Sequence, residues 1–193
     1  APGDPERLDA LREGLKQRSL GPGTEKYRST GTLGNLLVFN RMGILPARNF
    51  RAGQDARAEG LSAEGLFETQ KVQRVTCRDC MIGCEKRYVG PDGDTTRLEY
   101  ENVFALGALL GIWEREPVLQ ASRLCDLYGL DTISTGGTYA FAAECGERGL
   151  LAMPNVRFGD GAALVAAIHH IARREAEGEL LALGSRELAR RVG

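Results

Sequence analysis

This 193-residue sequence lacks the features that mark several large classes of protein. Its 25 Lys and Arg nearly balance its 26 Asp and Glu, and a net charge of −1 gives no basic surface for nucleic acid. No apolar run approaches the roughly 20 residues that a membrane span needs. The sequence has no basic-then-apolar leader and opens without Met, which predicts a cytoplasmic protein excised from a longer one. We therefore expect no nucleic-acid partner and no membrane partner.

Aromatic residues are also scarce, at 6%, whereas glycine is common, with 25 residues. This composition suits helix ends and close backbone approaches better than a β-sandwich. Apolar residues recur at helical spacing, as in Leu164, Ile168 and Ile171, and no convincing alternating run is present. The sequence predicts an all-α fold: a single multihelical domain over residues 1–193, with at most a very short β-hairpin near 88–97.

Several helix boundaries follow from capping residues. Asp4 is a candidate N-cap, followed directly by a proline at the first helical position. Gly129 is expected to end a helix that begins near Glu114, and Asp131 to cap the next one. Asp160 is expected to start another helix in the same way.

Three of the five cysteines stand in one short run, as Cys77, Cys80 and Cys84. Thiols this close cannot all pair with one another, and a reduced cytosolic chain keeps them as thiols. Their spacing lets three sulfurs converge from one loop on a metal centre, and zinc and iron–sulfur clusters both accept such a loop with a fourth ligand. Cys125 or Cys145 could be that ligand, although a lone Cys among helix-forming residues is usually a small buried hydrophobe.

The histidines bear on the choice of metal. Zinc fingers usually bring a second Cys pair or a His pair close to the first. The only histidines, His169 and His170, are neighbours on a predicted helix, so both cannot face one site. We therefore favour a [4Fe–4S] cluster over zinc, with three ordinary buried thiols as the alternative.

Two acids flank the predicted corner between helices at 126–131. Gly129 can take the left-handed conformation that ends a helix, after which Leu130 can enter the core. Asp126 then lies in the last turn of one helix, where the helix dipole disfavours an anion, and Asp131 caps the next. A ligand rich in N–H donors would offset that cost. Alternatively, Asp131 is only a cap and Asp126 only a solvated acid.

The third candidate site contains Glu101, in the segment 99–102 that leads into an apolar helix. A carboxylate that enters apolar surroundings has a raised pKa, as a general acid or base near neutral pH needs. Taken alone, Glu101 is equally an acid at a helix start, where the dipole favours it.

Together, in their order and spacing, these pieces resemble the tungsten-dependent aldehyde:ferredoxin oxidoreductase family, specifically its middle, helical domain. The likeness runs over most of the 193 residues. The stretches that carry it are Gly-Ile-Leu-Pro-Ala-Arg-Asn-Phe at 43–50, the triple-Cys run at 77–84, Glu-Tyr-Glu at 99–101, Asp-Leu-Tyr-Gly-Leu-Asp-Thr-Ile-Ser at 126–134, and the ending at 158–181.

The resemblance implies an activity and its cofactors. Family members oxidise aldehydes to carboxylic acids with tungsten, or molybdenum in rarer relatives, held by the dithiolenes of two pyranopterins. Electrons then pass through a nearby [4Fe–4S] cluster to ferredoxin. By that likeness Cys77, Cys80 and Cys84 ligate the cluster.

The resemblance also assigns the acids. Asp126, Leu130 and Asp131 match the family's Asp-x-x-Gly-Leu-Asp motif, in which the carboxylates accept hydrogen bonds from the pterin ring and the Leu130 backbone lines it. Glu101 matches an acid near the metal, a candidate for activating water or moving the proton.

Only part of the family's enzyme is expected in this sequence. The β-rich N-terminal domain and the C-terminal helical domain, which brings the fourth cluster Cys, have no counterpart here. We therefore expect an isolated segment that is inactive, with the flanking domains of the same enzyme as partners and a homodimer as a further option. The alternatives are a non-enzymatic iron–sulfur or zinc-binding module for electron transfer or interaction, and a subunit of a related aromatic acyl-CoA reductase.

Overall fold

The structure, a computed structural model, describes residues 3–69, 72–90 and 93–193. This part of the chain forms ten α-helices, three short β-strands and several 3₁₀ turns, so the mostly helical prediction is confirmed. The helices are α1 (Pro5–Ser19), α2 (Glu25–Ser29), α3 (Asn35–Arg41), α4 (Ala63–Thr69), α5 (Tyr100–Leu106), α6 (Arg115–Tyr128), α7 (Thr132–Glu147), α8 (Gly161–Arg173), α9 (Gly178–Leu181) and α10 (Ser185–Val192). The strands are β1 (Val72–Val75), β2 (Glu85–Val89) and β3 (Thr95–Leu98).

The strands form one antiparallel sheet in the order β1-β2-β3. β2 and β3 make the hairpin predicted near 88–97, pairing Val89 with Thr95; residues 91 and 92 of its turn lie outside the described residues. The sequence pattern does not predict β1, which pairs with β2 from Val72 onwards. Four residues are too few for a reliable alternation signal. The Cys run is therefore the connection between two paired strands.

Capping residues start the helices where the sequence predicts them. The Asp4 carboxylate accepts a hydrogen bond from the Arg7 N–H at 3.0 Å, and Asp160 accepts one from Ala163 at 2.8 Å. α1 nevertheless has no buried residue, and its leucines are exposed, as at Leu11 with 55%. Good capping can thus form a helix that contributes little to the core.

The centre of the fold is the packing of α5 on α7 and of α6 on α8. α7 crosses α5 so closely that a Cβ at Gly136 would overlap the carbonyl of Ala105. The buried Asn102 amide donates to Ser122 Oγ at 2.8 Å, which joins α5 to α6. Ser122 Oγ in turn lies 3.4 Å from the carbonyl oxygen of Arg97 in β3. These contacts fix the start of α5 and the middle of α6 relative to the sheet.

A strained segment precedes this centre in the chain. Arg48, Asn49 and Phe50 all have left-handed backbone angles, with φ of 46°, 54° and 64°. Such a run of non-glycine residues is unfavourable and needs support from its surroundings. The N–H of Asn49 donates to the Leu109 carbonyl at 2.9 Å, and its side-chain amide donates to Glu144 at 2.6 Å. The run leaves Phe50 72% exposed.

Among the described residues, no helix combines the length and the apolar content needed to cross a bilayer.

Candidate cofactor-binding site

The corner between α6 and α7 has the geometry that its sequence predicts. Gly129 ends α6 with φ +67°, and the N–H of Leu130 returns to the Cys125 carbonyl at 2.8 Å. This is the Schellman arrangement, in which the residue after the left-handed glycine contacts the core. Leu130 is half-buried and packs there. Asp126 and Asp131 are thereby fixed on either side of one tight turn.

The two carboxylates of this corner differ in their partners. Asp131 is exposed and accepts a hydrogen bond from the Ser134 N–H at 2.7 Å, and the Ser134 donors hold its pKa below the ordinary value. Asp126 is exposed too, and within the described residues its carboxylate has no hydrogen-bond donor. It lies in the last turn of α6, at the negative end of the helix dipole. Asp126 therefore presents a carboxylate with unused acceptor capacity.

Beneath the corner lies Cys125, which is fully buried. Burial raises its pKa to about 11, partly offset by a hydrogen bond with Thr135 and reinforced by Asp126 and Asp131. Cys145 is also buried, and burial raises its pKa. Metal ligation requires a thiolate, which both environments disfavour. The structure therefore gives no support to either residue as the fourth ligand.

An acidic neighbourhood joins the start of α5 to this corner. Glu101 lies in the first turn of α5, and Glu99 precedes the helix. Burial raises the pKa of Glu99; Arg97 opposes the increase, and the charges of Glu101, Glu85 and Asp126 add to it. Sequence reasoning selected Glu101, whereas the structure shows a raised pKa at Glu99. The sequence signal for a raised pKa at Glu99 is its position directly before an apolar helix.

The Cys run is a tight turn between β1 and β2. The Cys80 N–H donates to the Cys77 carbonyl at 3.0 Å, and Asp79 and Gly83 have left-handed backbone angles of 62° and 59°. Cys77 is exposed, and Cys80 and Cys84 are half-buried. Within the described residues, no three His, Cys, Asp or Glu side chains are grouped as a metal ion would require. Ligation by these thiols, and their convergence near the corner, stay predictions.

Two cations hold this turn, and sequence reasoning missed both. Arg74 in β1 donates through Nη2 to the carbonyls of Met81 and Ile82 at 2.7 and 2.8 Å. Lys86 in β2 is only 3% exposed, and its Nζ donates to the Gly83 carbonyl at 2.9 Å. A basic residue in a short strand predicts a solvated side chain, so the sequence carries no signal for this burial. Three thiols flanked by fixed positive charge suit an anionic iron–sulfur centre.

The Cys turn and the corner are connected through the sheet. Glu85 directly follows Cys84, and its charge acts on Glu99, which also feels Asp126. The Glu99 carboxyl is therefore within electrostatic range of both Glu85 and Asp126. The Cys turn offers sulfur donors, Asp126 at the corner offers unused acceptor capacity, and Glu99 between them is an acid with a raised pKa.

The chain matches one protein family over most of its length and is similar to several individual proteins. The family described as "Aldehyde ferredoxin oxidoreductase, domains 2 & 3" matches residues 10–193. The tungsten-containing aldehyde ferredoxin oxidoreductase of Pyrococcus horikoshii is 38% identical over 193 residues, covering 95% of this chain and 31% of the relative. The enzyme of the same name from Pyrococcus furiosus is 39% identical over 180 residues, covering 90% and 29%. The chain thus spans about a third of the length of these curated relatives.

Two likenesses are more distant. An "aliphatic sulfonate oxidoreductase, WOR-like subunit" of Pyrococcus furiosus is 34% identical over 124 residues, covering 58% of this chain and 20% of the relative. A solved structure of the BamBC active-site complex of benzoyl coenzyme A reductase, with 1,5-dienoyl-CoA, superposes with a TM-score of 0.61. It covers 92% of this chain and 26% of that one at 17% identity, which shows a shared fold.

Proposed function

This chain belongs to the aldehyde ferredoxin oxidoreductase family, and we propose that it is a segment of an enzyme that oxidises aldehydes to carboxylic acids. The electrons would leave through a [4Fe–4S] cluster to ferredoxin. The observation that carries the proposal is the turn at Gly129, which fixes Asp126 and Asp131, the predicted pterin-binding acids, on either side of one corner.

Cys77, Cys80 and Cys84 would hold the cluster. The donor set fits, because thiolates are the usual ligands of iron–sulfur clusters and the carbonyls of the turn already bind Arg74 and Lys86. The fourth ligand would come from a part of the enzyme that this chain does not cover, since Cys125 and Cys145 are buried in the core.

Asp126, Leu130 and Asp131 would hold a pterin of the tungsten (or molybdenum) bis-pyranopterin. The Asp126 carboxylate can accept hydrogen bonds from ring N–H groups, and Asp131 has capacity beyond its bond to Ser134. Leu130 packs into the core, which fixes its backbone as a wall beside both acids. Such a ligand would relieve the unfavourable position of Asp126 at the end of α6.

Glu101 would take up the proton released when water adds to the aldehyde carbon. Oxidation of an aldehyde and water to a carboxylic acid releases two electrons and two protons, and the tungsten cofactor supplies the electron acceptor when bound. Glu101 lies beside Glu99, whose raised pKa suits it to receive a proton next. The chain's role would be to hold the cofactors and move protons at these carboxyl oxygens.

The domain organisation, location and partners that we propose are those expected from the family. The 193 residues would form one domain, the central helical one, and flanking domains of the same enzyme would complete the aldehyde pocket. We propose a cytoplasmic location, where thiols stay reduced, with ferredoxin as the electron acceptor and a homodimer as the assembly. Nucleic acid and membrane are not among the proposed partners.

Cluster assembly is tested on the chain itself. The protein is prepared under nitrogen, supplied with ferrous iron and sulfide, and analysed for both elements and for visible absorbance. We expect the cluster to form and Cys80→Ser to abolish it, while Cys145→Ser, a matched change in the core, retains it. Loss of metal in Cys145→Ser, or stoichiometric zinc in the wild type, would favour the non-enzymatic metal-binding module instead.

Aldehyde oxidation is tested in a hybrid enzyme in which these residues replace the matching segment of the Pyrococcus horikoshii relative. We expect aldehyde-dependent viologen reduction, and a loss of about a hundredfold or more in kcat for Glu101→Gln at unchanged tungsten content. The exposed Glu175→Gln serves as the control. A hybrid that holds tungsten and iron but reduces only aromatic acyl-CoA esters would favour the acyl-CoA reductase alternative.

A further inference from the structure

Lys86 is unusually buried for a lysine in a short strand. It is 3% exposed, and its Nζ donates to the carbonyls of Gly83 at 2.9 Å and Arg28 at 2.8 Å, with the Tyr27 carbonyl at 3.4 Å. These acceptors satisfy its hydrogen bonds but carry no net charge. In the ranges that the structure describes, no carboxylate forms an ion pair with it.

A buried ammonium without an opposite charge is costly. Removing such an ion from water carries a large free-energy penalty, and neutral dipoles offset only part of it. An anionic partner that offsets the remaining penalty must lie close to the Lys86 Nζ. Glu85 is already paired with Arg87 at 2.5 Å, so the neighbouring group left to carry negative charge is Cys84, two residues before Lys86 in the chain.

The turn is also oriented by its cations. Three consecutive carbonyls, those of Met81, Ile82 and Gly83, accept from Arg74 and Lys86. In a trans peptide the N–H of the following residue points opposite to the carbonyl. The turn therefore directs its carbonyls toward the cations and the following N–H groups away from them. This is the polarity that a bound anionic centre requires, because N–H groups stabilise negative sulfur.

We propose that Lys86 is a positioning residue for the iron–sulfur cluster, whose ammonium is the fixed, buried counter-charge of the cluster-bound thiolates. This inference rests on the proposed function, because it requires a cluster at the Cys turn. A fixed positive charge favours the reduced, more negative cluster, so Lys86 raises the potential at which the cluster accepts an electron. Because the charge is buried, the effect is little screened by salt.

The test compares the wild type with four variants. Each is loaded with iron and sulfide under nitrogen and titrated with dithionite, and the reduced cluster is followed by electron paramagnetic resonance. Lys86→Arg keeps the charge, Lys86→Gln keeps a donor without charge, and Lys86→Met removes both. The matched control is Arg87→Met, the next residue, which is already paired with Glu85 at 2.5 Å. We expect a lower midpoint potential in both neutral variants, and a potential near that of the wild type in Lys86→Arg and Arg87→Met.

Each other outcome has a distinct meaning. A wild-type chain that takes up no iron and sulfide overturns the cluster assignment and this inference with it. A loaded Lys86→Met or Lys86→Gln chain with an unchanged potential overturns the inference alone. So does a lowered potential in Lys86→Met but not in Lys86→Gln, which would assign the effect to hydrogen bonding. If both neutral variants lose helical circular dichroism without metal, Lys86 is a purely structural residue and the inference is wrong.

Discussion

At the scale of single residues, the two acids of the α6–α7 corner are chemically alike but differ in what they do for the fold. Asp131 caps α7, whereas Asp126 has no donor among the described residues and opposes the dipole of α6. A cap contributes to stability, and an acid at a helix C-terminus detracts from it. The corner thus offers a matched pair of substitutions.

We expect Asp131→Ala to lower the free energy of unfolding by about 1 kcal/mol, because the Ser134 N–H loses its acceptor. Asp126→Ala, the control, should leave the stability equal or slightly higher. Urea unfolding at neutral pH measures both. Since the pKa of Asp131 is lowered, its contribution should persist above the ordinary value and disappear as the pH falls through the folded-state pKa. Equal losses at the two positions would contradict the capping role.

Glu99 gives a pH dependence of the opposite sign. Its pKa is raised in the folded state by burial and by neighbouring acids, so the folded chain binds the proton more tightly than the unfolded chain. Stability therefore falls as the pH rises from the ordinary glutamate pKa of 4.5 through the folded-state pKa. We expect Glu99→Gln to be more stable than the wild type at neutral pH and to lose that advantage in acid. The exposed Glu175→Gln should show no such trend in urea unfolding across the same pH range.

At the scale of elements, the site depends on how closely α7 approaches α5. Gly136 faces the Ala105 carbonyl with no room for a Cβ, whereas the next residue, Gly137, has nothing within 4 Å of the same position. Both lie in the interior of one helix, so they share the same intrinsic preference. The difference in stability between alanine at position 136 and alanine at position 137 therefore reports on the packing of α7 against α5.

We expect Gly137→Ala to raise the free energy of unfolding by up to about 1 kcal/mol, the gain typical of replacing glycine in a helix. Gly136→Ala should lower it by about 1–3 kcal/mol, because α7 must move away from α5. Thermal unfolding followed by circular dichroism separates the two. A stabilised Gly136→Ala chain would mean that the helices are not in contact at this point.

At the scale of the whole molecule, α1 stands apart from the rest. It contains no buried residue, and its exposed leucines add nothing to the core. We expect a chain that begins at Gly21 to unfold within about 2 °C of the full chain, since a change of 1 kcal/mol shifts the midpoint of a domain this size by roughly 2–4 °C. Differential scanning calorimetry measures this. A much larger decrease would show that α1 packs on the core in solution.

The sequence predicts the helices and the corner well, because local residues determine them. Asp4, Gly129, Asp131 and Asp160 each act through hydrogen bonds or backbone angles within a few positions of themselves. The pattern does not predict β1, whose pairing with β2 involves partners 10 to 16 residues away along the chain. Lys86 is missed for a similar reason, because its acceptor Arg28 lies 58 residues earlier.

The left-handed run at Arg48–Phe50 has a practical consequence. It holds an aromatic ring outward at a fixed place on the surface, while the chain's single tryptophan, Trp113, is 7% exposed. An indole introduced at position 50 would therefore fluoresce at a wavelength typical of water, distinct from the buried emitter. Any subunit or domain that covers this loop would shift that emission to the blue, giving an optical record of assembly in real time.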